Sequence, residues 1–181
     1  MASTYSSDLK LELVTTGEKA GLWGTITNTN LQILQQSSSG YLALAVGGSD
    51  VTLSLDNGAT SNGKNLYIKL TGTLTANRTV TMPASAERVF IIEDATVRGT
   101  SNRTLSVLTA SGTALAIPVG ATMLVKSDGT NTTKGITQKG YNTITDSNTP
   151  YTAIAADQIL ANTTANPITI LLPASPVTGD E

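Results

Sequence analysis

The chain contains no cysteine and no histidine, one tryptophan and one phenylalanine, and only 13% of its 181 residues are charged. Without cysteine there is no disulfide, no thiolate nucleophile and no zinc site of the cysteine type. Without histidine the commonest general base and metal ligand is missing, so the many serines lack their usual partner for nucleophilic catalysis. An average globular domain carries charge on roughly a quarter of its residues; here hydroxyl and amide side chains must cover the surface instead. A formal net charge of −2 gives no basic face, which argues against nucleic acid as a partner. No segment approaches the roughly 20 apolar residues that span a bilayer, and the start, MASTYSSDLK, lacks a basic flank and an apolar run. Neither membrane insertion nor export is expected.

What is present begins with residues 7–36, SDLKLELVTTGEKAGLWGTITNTNLQILQQ, which hold the lone Trp23 and the one convincing helical pattern. Leu9, Leu11 and Leu13 alternate with Lys10 and Glu12, the period of a half-buried strand. After a turn at Thr16-Gly17 the spacing changes. Ile26, Ile33 and Leu34, with Asn30 between them, predict a helix over about 25–36, with Thr25, Thr27 or Asn28 as its cap and Ser37-Ser38-Ser39-Gly40 as its end. Two readings of Trp23 stand side by side. It anchors the helix against the strand as core, or, with Leu22 and the glycines around it, packs against another protein.

Beyond Gly40 the sequence is Thr-rich and punctuated at short intervals. Strand-like runs fall at Tyr41–Val46, Val51–Leu55, Asn65–Leu70, Thr79–Met82, Arg88–Ile92, Thr104–Leu108 and Met123–Lys126. Turn sequences such as Asp56-Asn57-Gly58, Asn62-Gly63 and Ser127-Asp128-Gly129 separate them. This predicts a mainly β chain in which a short strand-plus-helix element precedes an antiparallel β-sandwich or jelly-roll-like module. A parallel sheet is disfavoured, because nothing supplies crossover helices. Threonine suits a pleated strand, so the solvent faces are expected to be threonine ladders. The expected divisions are 1–40, 41–138 and 139–181, the last a linker and the start of a second β module.

An internal repeat supports that last division. Thr75 to Ser85, TANRTVTMPAS, returns as Thr164 to Ser175, TANPITILLPAS, with one inserted residue and the prolines 90 positions apart. The first copy leads into the apolar run Arg88–Ile92, whereas the second reaches Gly179-Asp180-Glu181 where a partner strand should begin. A lone strand leaves a row of unpaired backbone groups, so the expectation is the N-terminal part of a longer polypeptide.

Candidate chemistry is sparse. Glu93-Asp94 is the one internal acidic pair, and adjacent strand residues point to opposite faces, so the two cannot flank one glycosidic bond; a surface turn acid is the simpler reading. Asp50, Asp56 and Asp128 lack the spacing of a calcium loop and read as turn formers. Gly47-Gly48 and Gly17-x-x-x-Gly21 lack the strand-to-helix context of a phosphate loop. No catalytic residue, cofactor or metal is assigned, and the chain is not read as an enzyme.

The opening segment resembles the N-terminus of tail-fibre and related structural proteins of phages that infect cyanobacteria and other aquatic bacteria. In these, TYS-x-DLKLEL and then TGE-x-x-G-x-WG-x-x-TN-x-N precede Thr-rich β modules, and Trp23-Gly24, Asn28 and Asn30 sit where that pattern has them. Asp128-Gly129-Thr130-Asn131 and the ending Leu172 to Asp180 are also similar to fibre modules, while Leu22 stands where smaller or polar residues are common. The resemblance implies a virion protein, made in the host cytoplasm, that forms a homotrimer and docks to a tail adaptor, nozzle or baseplate protein. The docking residues it implies, joined to the pattern above, are Leu9, Leu11, Leu13, Leu22, Trp23, Ile26, Asn28, Asn30 and Leu34. A host receptor or polysaccharide would be met through a further C-terminal part. The alternatives are a capsid decoration or cement protein, and the N-terminal part of a polysaccharide-depolymerising tailspike.

Overall fold

The structure, a computed structural model, describes residues 3–84, 86–99, 103–138, 142–145, 147, 149–153 and 159–172, with the backbone alone at 136–138. β1 (Thr4–Tyr5) and β2 (Glu12–Leu13) pair antiparallel and lead to helix α1 (Trp23–Ser39). Then follow β3 (Tyr41–Ala45), β4 (Val51–Thr52), a 3-10 turn at Asn62–Lys64, β5 (Tyr67–Thr73), β6 (Arg78–Met82), β7 (Glu87–Val97), β8 (Leu105–Thr109), β9 (Leu115–Ala116), β10 (Thr122–Asp128) and β11 (Thr132–Gln138). All seven strand-like runs of the sequence contain a strand.

The pairing corrects the antiparallel, jelly-roll-like expectation. β3, β5 and β7 run parallel in one sheet, and β4, β6 and β8 run parallel in the other. Parallel neighbours need a crossover, and each crossover is itself a strand: the chain makes β3 in the first sheet, β4 in the second, and returns as β5 to lie beside β3. Every circuit is thus one rung of a coil, and no crossover helix is required. Within these two sheets the described antiparallel pairings fall where the coil ends, with β10 and β11 extending the first sheet and β9 the second, giving the orders β11-β10-β7-β5-β3 and β4-β6-β8-β9.

Like residues stack from rung to rung. Val51 lies beside Val80 and Val80 beside Val107, while Tyr41 lies beside Tyr67, their rings stacked at 5.6 Å. Alternate side chains point inward, so Ile68, Leu70, Phe90, Ile92, Met123 and Val125 from the first sheet meet Val80, Met82, Leu105 and Val107 from the second in one buried cluster. The sandwich-like two-sheet core is therefore as expected. The expected threonine ladders are found only in part: on the second sheet's outer face Thr52 lies beside Thr81, but Thr81 then lies beside Leu108, and Thr79 lies beside Ser106 with their hydroxyl oxygens 3.4 Å apart.

The chain then repeats the device on a smaller scale. β12 (Asn142–Ile144) is parallel to β14 (Ile159–Ala161), and β13 (Tyr151–Thr152) is parallel to β15 (Ile170–Leu171). This alternation is that of β3 to β6, and β15 falls in the second copy of the repeat just as β6 falls in the first. The tail of that copy, Pro173 to Ser175, and the expected unfinished ending at Gly179–Glu181 lie outside the described residues.

Candidate functional site

α1 is built from residues with modest helix propensity, four of them threonine or isoleucine in its first half. Its first turn has no side-chain cap, its N-cap is Leu22, and it carries no charged residue. Thr25, Thr27 and Asn28, the expected caps, lie inside the helix, which starts earlier and runs longer than 25–36. Its C-terminus is better served. Ser37 Oγ donates to Leu34 O at 2.8 Å, Ser38 and Ser39 Oγ donate to Gln35 O, and Gly40 N donates to Gln36 O, which satisfies carbonyls that a helix end leaves open. A Cβ on Gly40 would sit 2.2 Å from Gln36 O, so only glycine lets the chain turn there into β3.

Tertiary contacts hold the helix in place. Ile33 is fully buried, and Gln36 Nε2 donates to Ser61 O at 3.0 Å. Asn30 acts as a clamp: its Oδ1 accepts from Glu12 N at 3.0 Å and its Nδ2 donates to Glu12 O at 2.9 Å, so one side chain pairs with the strand backbone as a neighbouring strand would. The segment before it is pinned to the body twice, by Gly58 N donating to Lys10 O at 2.7 Å and by Glu87 N donating to Asp8 Oδ1 at 3.1 Å. Only Glu12–Leu13 of the expected strand Leu9–Leu13 is strand. Lys10 has a φ of 56° and Leu9 lies in the turn between β1 and β2, because the chain must reverse there to reach Gly58.

The nine expected docking residues divide accordingly. Leu9, Leu11 and Ile26 are half-buried, Asn30 is committed to Glu12, and Asn28 is exposed on the polar side of the helix. Leu13, Leu22, Trp23 and Leu34 are bare, with Leu22 at 53% and Trp23 at 64% exposure. The reading of Trp23 as a core anchor is thus overturned: Ile33 faces the body, and Trp23 faces away. At roughly 100° per residue, Leu34 lies about 20° round the helix from Trp23. Leu31, also exposed, lies about 80° round on the same side, and was missed because the helical pattern was read through Ile26, Ile33 and Leu34. Its spacing of three before Leu34 was the available signal. The result is an uncharged row of exposed apolar side chains about 16 Å long on a helix held along the flank of Ile33, with Asn30 between that flank and the row.

Charges are used locally. Glu12 is held below its ordinary value by Ser3 Oγ, donating at 2.6 Å, and by Lys19 at 3.2 Å. Glu93 is held down by Lys69 at 2.8 Å and by the hydroxyl of Tyr67 at 2.7 Å. Asp128 is held down by the backbone N–H groups of Asn131 and Thr130. A carboxylate whose folded pKa is depressed contributes stability above its unfolded value and loses it as pH falls through the folded one. The urea midpoint is therefore expected to be flat from pH 7 to about 5 and to fall progressively below about 4.5. A midpoint that rises on acidification would show these contacts to be ineffective.

Of the other candidate residues, Asp50 Oδ1 accepts from Thr79 N at 3.0 Å, extending the β4–β6 ladder. Asp8, Glu87 and Asp128 line a polar depression with Ser7, Gly129 and Thr130, but Asp8 Oδ1 and Asp128 Oδ1 accept from backbone N–H groups and Asp8 Oδ2 from the Ser7 hydroxyl. Among the described residues no group of three or more acidic side chains is placed to hold a metal ion. Glu93 and Asp94 do point to opposite faces, yet Asp94 is a buried residue of β7 and not a surface turn acid. Comparison with protein families, curated proteins and solved structures finds no match for this chain.

Proposed function

We propose that the chain is a virion structural protein, a phage tail fibre in which the exposed helix residues Trp23, Leu31 and Leu34, with Leu22 at the helix N-cap, dock to a tail adaptor, nozzle or baseplate protein. In this reading the coiled β units space a receptor-binding region away from the particle, and three copies assemble together. The observation that carries the docking role is the bare Trp23, 64% exposed beside a 53% exposed Leu22 at the end of a helix anchored through Asn30 and Ile33. Large apolar side chains displayed together on a rigid element are what interface hot spots are made of. The resemblance of the first forty residues to fibre N-termini supplies the kind of partner.

Removing residues 1–40 is a poor test, because Asp8, Lys10 and Gln36 hold the body. The double variant Trp23→Glu/Leu34→Glu changes only exposed side chains. It is expected to keep the wild-type circular dichroism and melting temperature and to lose incorporation into fibreless particles, with affinity for the tail partner reduced by at least about 100-fold. Normal incorporation refutes the docking role.

A further inference from the structure

The loop that joins β4 to β5 holds two Asn-Gly pairs, Asn57-Gly58 and Asn62-Gly63. Asparagine is thermolabile, and most so before glycine, where no Cβ keeps the next backbone nitrogen away from the side-chain carbonyl carbon. The fold treats the two pairs differently. At Asn62 both ends of the would-be ring are tied to one residue: Asn62 Oδ1 accepts from Ser54 N at 2.6 Å, and Gly63 N donates to Ser54 O at 3.0 Å. Gly63 is buried, with Ser54 O and Pro83 Cγ packed where a Cβ would stand. Neither group can swing toward the other without breaking the loop away from β4.

Asn57 is exposed, and no hydrogen bond holds its side chain among the described residues. Its neighbour Gly58 donates its N–H to Lys10 O at 2.7 Å and lies against Tyr5, whose Cε1 is 3.0 Å from where a Cβ would stand. Tyr5 and Lys10 both belong to the β1–β2 hairpin, whose strands have two residues each. So small a hairpin is marginal by itself and opens more readily than the body. We propose that Asn57 is a self-modification site gated by this hairpin, whose opening frees the Gly58 nitrogen. Gly58 N attacks Cγ of Asn57, the Cγ–Nδ2 bond breaks, and the amide nitrogen leaves as ammonia with the proton from Gly58 N. Water then opens the succinimide at either carbonyl, giving isoaspartate or aspartate at that position. Either product puts a carboxylate beside Asp56 and near Glu12, whose Oε2 lies 3.7 Å from a Cβ placed on Gly58. Isoaspartate also adds one carbon to the backbone before Gly58. The hairpin then recloses less well, because like charges meet and the Gly58 N–H is displaced from Lys10 O.

The test is peptide mapping of the full chain after incubation at mildly alkaline pH. In the folded protein Asn57 is expected to convert at least about tenfold faster than Asn62, whereas in urea the two convert at similar rates. Asp8→Ala cuts the pin to Glu87 N, and Asn30→Ala removes the clamp on Glu12. Each is expected to speed conversion at Asn57 by at least about threefold and to leave Asn62 slow. Equal conversion of Asn57 and Asn62 in the folded protein overturns the site, and an Asn57 rate unmoved by both variants overturns the gate. The converted wild-type chain, separated from the unconverted one by its extra charge, is expected to exchange the amide hydrogens of residues 4–13 faster. Identical exchange in the two fractions overturns the lasting release, even if both variants misfold.

Discussion

Replacing Lys64 with alanine is expected to lower the free energy of unfolding by about 4 kcal/mol, one of the largest losses available to a single substitution in this chain. Lys64 is 0% exposed and the largest fully buried side chain. Its ammonium donates to Asp56 O at 2.6 Å and to Ala59 O, so it organises the loop that joins β4 to β5. Burial pushes its pKa down, and the carboxylate of Asp56 opposes that shift. The backbone of the same turn is gripped from the other side, with Arg88 Nη1 and Nη2 donating to Gly63 O and Lys64 O while the guanidinium lies 4.8 Å over Phe90. Truncation leaves two carbonyls without a donor, at about 1–3 kcal/mol each, and removes buried methylenes worth about 0.8 kcal/mol apiece. Lys64→Met keeps most of the stem, so it should lose about 2 kcal/mol less; urea denaturation of the three proteins checks both values. Because Gly58 N in this loop donates to Lys10 O, the alanine variant should also speed hydrogen exchange across β1 and β2. A loss below about 1 kcal/mol would mean that the loop is held by other contacts.

The buried lysine shows where the sequence was silent. Strand positions were legible because Val, Ile, Leu and Thr alternate between short turn sequences, and the helix because its apolar spacing departs from that alternation. The parallel coil was not, since alternation within a strand is the same whichever way its neighbour runs. The stacking of Val51, Val80 and Val107 carries the direction, and such a signal emerges only when rungs of unequal length are aligned. The site was partly legible for the same reason. Periodicity identifies apolar residues on a helix, but with Ile26 and Ile33 about 60–80° round one way from Trp23, and Leu34 and Leu31 about 20–80° round the other, it does not say which flank the body takes. The body takes Ile33 because Gln36 and Asn30 lie on that flank and find Ser61 and Glu12. Asn30, placed among docking residues by resemblance, proves to be an internal fastener, and no spacing rule marks an amide that will pair with a strand.

Asp94→Ala is expected to cost about as much as Lys64→Ala, again about 4 kcal/mol, but through a different balance. Asp94 occupies an inward position of β7, in line with Phe90 and Ile92, where an apolar residue would ordinarily stand. Its Oδ1 accepts from Thr96 N at 3.0 Å and Thr96 Oγ1 at 2.6 Å; its Oδ2 accepts from Gly120 N at 3.2 Å and from Arg98. It therefore joins the end of β7 to the turn before β10, and forms an ion pair with a guanidinium whose Nε and Nη1 have no hydrogen-bond partner among the described residues. Removing the carboxylate strands that buried cation and two backbone donors at once. Removing the cation instead leaves Asp94 with three donors, so Arg98→Met should lose no more than about 1 kcal/mol. The double variant Asp94→Leu/Arg98→Met abolishes the charge imbalance and takes the acceptor from the N–H groups of Thr96 and Gly120 and from the freely rotating Thr96 hydroxyl, so its loss should be about 2 kcal/mol, smaller than that of Asp94→Ala alone. Such a ranking, with the double variant more stable than one of its parents, distinguishes an anchor for the turn from a simple ion pair. Equal losses for Asp94→Ala and Arg98→Met in urea denaturation would instead assign the stability to the pair itself.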